Sequence, residues 1–260
     1  MDILTFLLVG MTSGLFSGLL GTGTAIMVIP ALIWVLPWRG IPNDLVVHMA
    51  IGTSLAVVLV VSLYNSWLQN KNNNIEWRFT HTIGPGCMVG ACIGAGLGVL
   101  LPGYIIKYLF VAVLLVVFYT LYLKQKASVA KQASKMELIL AGGGISGVAS
   151  LTGAGIGNLM VPYLYHRGIT FKKAIATSVT CSLFYSTSAL LIYALAGFFQ
   201  SGYSANPLLY LNATAFLAIT GMSLLFTKLG IKLAQKVPQP LLKIIFGIYL
   251  IITSVLILAK

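Results

Sequence analysis

Two short glycine motifs carry most of the chemistry in this sequence: Gly21-Thr22-Gly23 and Gly153-Ala154-Gly155, each followed seven residues after its last glycine by a proline, Pro30 or Pro162. Glycine lets a chain turn sharply and lets a ligand approach the backbone. A helix restarting after such a break presents free N–H groups and roughly half a positive charge at its N-terminus, which favours an anion. The polar side chains nearby are neutral hydrogen-bond donors: Thr22, Thr24 and Asn158 beside the breaks, and the pairs Thr53-Ser54 and Thr177-Ser178 on the segments that follow. The candidate binding set is therefore Gly21, Thr22, Gly23, Thr24, Thr53, Ser54, Gly153, Ala154, Gly155, Asn158, Thr177 and Ser178.

Other chemistries find no constellation. The four acidic residues, Asp2, Asp44, Glu76 and Glu137, fall at the edges of apolar segments, so no carboxylate stands inside one as a proton or sodium relay. His48, His81 and His166 show no metal-ligand spacing and read as interfacial. Cys87, Cys92 and Cys181 lie inside apolar segments without CxxC spacing and read as packing residues. GxSxG and HExxH motifs are absent, and no Ser, His and acid are placed to act together, so neither an enzyme, a metal site nor a cofactor is expected.

The elements that must position these residues belong in lipid. The chain of 260 residues is 58% hydrophobic and 8% charged, against about 25% charged in a soluble domain. Apolar segments run near 3–37, 45–68, 77–99, 104–124, 137–167, 172–198, 207–229 and 240–259. Trp34, Trp38, Trp67 and Trp77 sit at segment ends, as an interfacial belt predicts. The opening Met1-Asp2 lacks the basic region and cleavage site of a signal peptide, so the first segment is expected to remain. The segment at 3–37 would be roughly 52 Å long as one straight helix, well beyond a core of about 30 Å. It must break, and the glycines mark where.

The chain also repeats itself. Ala50-Ile51-Gly52-Thr53-Ser54-Leu55 matches Ala174-Ile175-Ala176-Thr177-Ser178-Val179, and Leu101-Pro102 with Lys107 and Phe110 matches Val237-Pro238 with Lys243 and Phe246. We read two halves, 1–124 and 137–260, joined by a linker at 125–136. If each broken segment crosses once, the 16 basic residues divide almost evenly between the two sides. If each folds back as a hairpin, only Arg39, Lys107 and Lys260 remain on the minority side, and the positive-inside rule is obeyed. The expected fold is an all-α polytopic membrane protein of two inverted repeats, each a Gly-broken helical hairpin (or two short helices) followed by three transmembrane helices. In that arrangement the linker is cytoplasmic, and two helix N-termini would face each other across the interior. Gly, Ser and Thr are also enriched wherever membrane helices pack closely. The appearance of the same arrangement in both halves is what favours a binding site over packing alone.

The stretch Gly14-Leu-Phe-Ser-Gly18 leading to Gly21-Thr-Gly23 and Pro30, then Gly52-Thr53-Ser54, then Asn74-Ile-Glu-Trp77-Arg78, resembles the TauE/SafE family of sulfite and organosulfonate exporters. The second half carries a degenerate copy, with Asn158 after its glycines and Ala176 in place of Gly52. The resemblance implies a probable membrane transporter of the bacterial cytoplasmic membrane, moving small sulfur-containing anions such as sulfite, thiosulfate or sulfonates. The expected partners are a small anionic substrate and the lipid bilayer, without nucleic acid, in a form compatible with a homo-oligomer. Alternating access between the halves is the expected mechanism, and a passive anion channel or a non-transporting membrane subunit are the alternatives.

Overall fold

The computed structural model describes residues 2–21, 24–122, 134–200 and 210–258. Thr22, Gly23, Lys260 and most of the linker lie outside the described residues. Ten α-helices follow one another with no strand among the described residues: α1 (Asp2–Leu20), α2 (Ala25–Val35), α3 (Asn43–Lys71), α4 (Trp77–Leu100), α5 (Gly103–Tyr122), α6 (Lys135–Thr152), α7 (Gly157–His166), α8 (Phe171–Gln200), α9 (Ala213–Lys236) and α10 (Gln239–Leu258). A single 3₁₀ turn, Leu36–Arg39, extends α2. Five described stretches are long and apolar enough to cross a membrane: Ile3–Leu20, Asn43–Lys71, Trp77–Leu100, Phe171–Phe199 and Ala213–Ala234.

Both broken segments fold back. At the base of the first, the Arg39 guanidinium sits 5.0 Å from the ring centre of Phe6, joining the end of the 3₁₀ turn to the start of α1. At the base of the second, Arg167 pairs with Glu137, joining the end of α7 to the start of α6. Partial desolvation opposes the Arg167 charge, yet its partners Glu137 and Tyr163 hold its pKa above the ordinary value.

These joints define two ends of the bundle. One gathers Phe6, Arg39 and His48, whose Nε2 lies 3.2 Å from the Leu101 carbonyl and whose ring lies tilted against that of Tyr210 at 5.5 Å. The other gathers Glu137, Arg167, Glu76 and Lys173, the last two paired at 2.5 Å. The first is called below the Asn212 end and the second the Glu76 end.

Helices of the two halves expected from the sequence pack on one another. α1 packs on α9 and α4 packs on α6, each pair running parallel. Gly10, Gly14 and Gly18 let α1 approach so closely that a Cβ on Gly14 would stand 2.4 Å from the Ser223 carbonyl oxygen. Gly86, Gly90 and Gly94 do the same for α4, a Cβ on Gly90 standing 2.0 Å from the Gly143 carbonyl oxygen. Small residues at such spacing drive helix association in lipid, where burial of apolar surface gives no net gain between helices. Hydroxyls reinforce the α1–α9 seam, with Ser223 Oγ donating to the Gly10 carbonyl at 3.0 Å and Thr227 Oγ1 to that of Gly14 at 3.3 Å. Leu63, Val89, Ile93, Leu140, Leu191 and Leu225 point outward, an apolar rim suited to acyl chains.

Candidate functional site

Each hairpin turns where the sequence supplies glycine. α1 ends with the Gly21 N–H bonded to the Ser17 carbonyl at 3.0 Å and Gly21 at φ +65°, the left-handed C-terminal conformation that glycine adopts without strain. α6 ends the same way at Gly153, φ +75°, and Gly155 is left-handed as well at φ +80°. Space excludes side chains independently: a Cβ on Gly21 would meet Ile175 Cγ2 at 2.5 Å, and one on Gly153 would meet Ile29 Cδ1 at 2.6 Å and Ile51 Cγ1 at 3.0 Å. Ile51 and Ile175 occupy matching places in the repeat, so the turn of each half rests on the third helix of the other.

The turns do not meet tip to tip, and the expectation of facing helix ends is corrected here. Turn one lies beside Ile175, whereas the last turn of α6, leading into turn two, meets Tyr185, whose hydroxyl donates to the Ala149 carbonyl at 3.4 Å, ten residues and about 15 Å further along α8. Buried Ile29 and Ile51 pack on Gly153 of turn two, as Ile175 packs on Gly21 of turn one. The two turns are therefore staggered along the bundle.

The described polar residues of the candidate set are all buried, but they do different work. Thr53 Oγ1 accepts a hydrogen bond from the Asn212 backbone N–H at 2.9 Å, and Thr177 Oγ1 accepts one from the Glu76 backbone N–H at 3.0 Å. Asn212 and Glu76 are the residues just before α9 and α4, so each threonine of one half holds the start of a helix in the other. Each hydroxyl proton is still available to a ligand. Ser178 Oγ reaches the Gly21 carbonyl at 3.5 Å, a long contact that ties α8 to turn one. Its counterpart Ser54 is buried with its hydroxyl unpartnered, as is the hydroxyl of Thr24 just before α2. In turn two, Thr152 Oγ1 accepts from the Ala154 N–H at 3.3 Å, and the Asn158 amide nitrogen donates to the Ala154 carbonyl at 2.5 Å, leaving Asn158 Oδ1 buried and unpartnered.

Sequence reasoning missed the inter-half threonine bridges. Gly52, quoted in the repeat but left out of the candidate set, has no Cβ where the Tyr210 carbonyl oxygen would lie 2.3 Å away, so an alanine such as the one at position 176 does not fit there. In sequence the bridges leave one trace, that both threonines sit at the matching place of the repeat; their partners are backbone N–H groups. A cavity of about 140 Å³ opens at the Asn212 end, lined by Gly52, Leu190, Tyr193, Ala194, Gly197, Tyr210 and Leu211. Among the described residues no group of three His, Cys, Asp or Glu side chains converges.

Comparison with known proteins covers nearly the same span. Residues 6–257 match the family model described as Sulfite exporter TauE/SafE. A probable membrane transporter protein of Haemophilus influenzae is 29% identical over 261 residues, covering 97% of each chain. Another from Methanocaldococcus jannaschii, also described as a probable membrane transporter protein, is 30% identical over 246 residues, covering 93% of this chain and 90% of its own. No solved structure matches.

Proposed function

The chain belongs to the sulfite exporter TauE/SafE family, and on that premise we propose that it is an integral membrane carrier moving a small anion, specifically a sulfur oxyanion or small sulfonate, across the cytoplasmic membrane. One observation carries this reading: each glycine turn of one half rests on the third helix of the other, where a Thr-Ser pair bridges to the start of a further helix. A shift of one half against the other remakes both joints together, which is what alternating access about a pair of inverted halves requires. The division at 1–124 and 137–260 is part of the same proposal.

The anion is supported by chemistry as well as by kinship. The N-terminus of α2 offers N–H groups and a positive dipole end at membrane depth. Thr24, Thr53 and Thr177 offer hydroxyl protons, and no carboxylate lies among the described turn residues to repel a negative charge. Irregular backbone at this depth is tolerated where it is buried in protein or lines a path, and the described residues of both turns are buried. The Glu76 end carries Lys71, Arg78, Lys135, Arg167, Lys172 and Lys173, so the positive-inside rule places it in the cytoplasm. The Asn212 end, with Arg39 and Lys107, then faces outward. Export of an anion would be assisted by the membrane potential, at about 2.3 kcal/mol per charge per 100 mV.

The experiment is uptake of radiolabelled sulfite, thiosulfate and a small sulfonate into proteoliposomes, beside the Gly153→Val variant. Saturable flux of one of these, lost in the variant, supports the proposal. Flux that rises linearly without saturating would favour a channel. Indifference of all transport to Gly153→Val in a folded, inserted protein would favour a non-transporting subunit.

A further inference from the structure

The unpartnered side-chain oxygens at turn two suit a cation better than an anion alone. Asn158 is 0% exposed, and its amide nitrogen is committed to the carbonyls of Ala154 at 2.5 Å and Gly155 at 3.4 Å. Reversing the amide would set oxygen against those carbonyl oxygens, so the chemistry fixes which end is free. Oδ1 offers lone pairs only. Ser54, 1% exposed and also unpartnered, lies one helical turn beyond Ile51, which packs on Gly153. Pro162 adds a third oxygen, because it has no N–H to give to the backbone carbonyl of Asn158 four residues before it. The C-terminal end of α6, with its partial negative charge, abuts the same turn.

Burying an acceptor without a partner is costly. An anion at the α7 N-terminus would be repelled by these lone pairs, whereas a cation would satisfy them. A proton is less suited to these oxygens: the side chains nearest Gly153 are Ile29 and Ile51, which do not titrate, and an amide does not protonate near neutral pH. Divalent ions generally call for carboxylates. Neutral side-chain oxygens with the unwound backbone and the C-terminal end of a broken helix are the chemistry that holds Na⁺ in membrane carriers.

We propose that turn two binds one sodium ion on Asn158 Oδ1, Ser54 Oγ and backbone carbonyls of the break, and that this ion is coupled to movement of the anion. The coupling rests on the transport reading above; the ion site does not. Among its described residues the first half does not repeat the arrangement, since Ile26 stands where Asn158 does and Ser178 Oγ donates to the Gly21 carbonyl. Thr24 is unpartnered at turn one, but a hydroxyl donates as well as accepts and serves an anion equally well.

The test is equilibrium binding of ²²Na⁺ to the purified full chain, which needs no knowledge of the anion. The wild-type protein is expected to bind one ion saturably, with no competition from choline. Asn158→Ile, which installs the residue the first half carries, is expected to weaken binding more than tenfold, and Asn158→Asp to retain it. Ser54→Ala, a milder change, is expected to weaken it several-fold and keeps the test decisive if Asn158→Ile does not fold. Absence of saturable ²²Na⁺ binding by folded wild type, or binding unchanged in the Asn158 and Ser54 variants that fold, overturns the proposal. Sodium binding without flux of any tested anion would count against the transport reading and leave the ion site standing.

Discussion

The Asn212 end and the Glu76 end contain the same joint in different surroundings. At both, a threonine hydroxyl accepts the N–H of the residue that opens a helix of the other half. Around the Glu76 joint the neighbours satisfy one another: the Asn74 amide nitrogen donates to Gln69 Oε1 at 2.9 Å, and Lys173 pairs with Glu76. Around the Asn212 joint the places of Gln69 and Asn74 are taken by Tyr193 and Tyr210, whose rings meet edge to face at 6.1 Å beside the cavity of about 140 Å³. The Tyr193 hydroxyl, 1% exposed, has no partner. One end is thus tied by polar pairs and the other is walled by rings around a space. The difference teaches that two halves with one plan need not share a resting state, since sealing depends on neighbours that the repeat does not preserve.

Substitutions test that asymmetry, beginning where the largest effect is expected. Gly52→Ala drives a Cβ against the Tyr210 backbone and should destabilise the protein by about 3 kcal/mol, the upper range for overpacking, whereas Ala176→Gly should cost only about 0.5–1 kcal/mol. Thermal unfolding in detergent reads both, and equal effects would erase the distinction between the ends. Thr53→Val and Thr177→Val each leave a partly buried N–H without its acceptor, for about 1 kcal/mol apiece. A loss at only one of them would show that the joints are not equivalent. Asn212→Ala removes a cap in which Oδ1 accepts the Ala215 N–H at 2.9 Å, worth about 1 kcal/mol. Glu76→Gln, losing only a partly exposed ion pair with Lys173, should cost less than about 1 kcal/mol and nothing measurable in molar salt.

Much of the fold is legible in the sequence because lipid imposes strong rules. The expected segments 77–99 and 104–124 correspond to α4 at Trp77–Leu100 and α5 at Gly103–Tyr122, and both breaks fall at their glycines. The segment expected at 207–229 is instead α9 at Ala213–Lys236. Apolar windows include the stretch before Asn212, although Asn212 caps the helix, and stop near Lys228, although the helix continues to Lys236. In the candidate site, residue types pointed to both turns and to the Thr-Ser pairs. They did not reveal the bridges, because the partner of each threonine is a backbone N–H distant in sequence, and backbone amides carry no sequence signal. The stagger of the turns was hidden for a similar reason, since depth depends on which helix each glycine leans on.

The central claim is that the two turns belong to one path opened from opposite sides. Single cysteines at Ser54→Cys and Ser178→Cys, in a chain whose Cys87, Cys92 and Cys181 are replaced, report it through labelling with a membrane-impermeant thiol reagent applied to each face in turn. The account predicts that position 54 is labelled only from the Asn212 end and position 178 only from the Glu76 end, with the transported anion changing the two rates in opposite directions. Labelling of both positions from one face, or rates indifferent to every anion the protein transports, would contradict it.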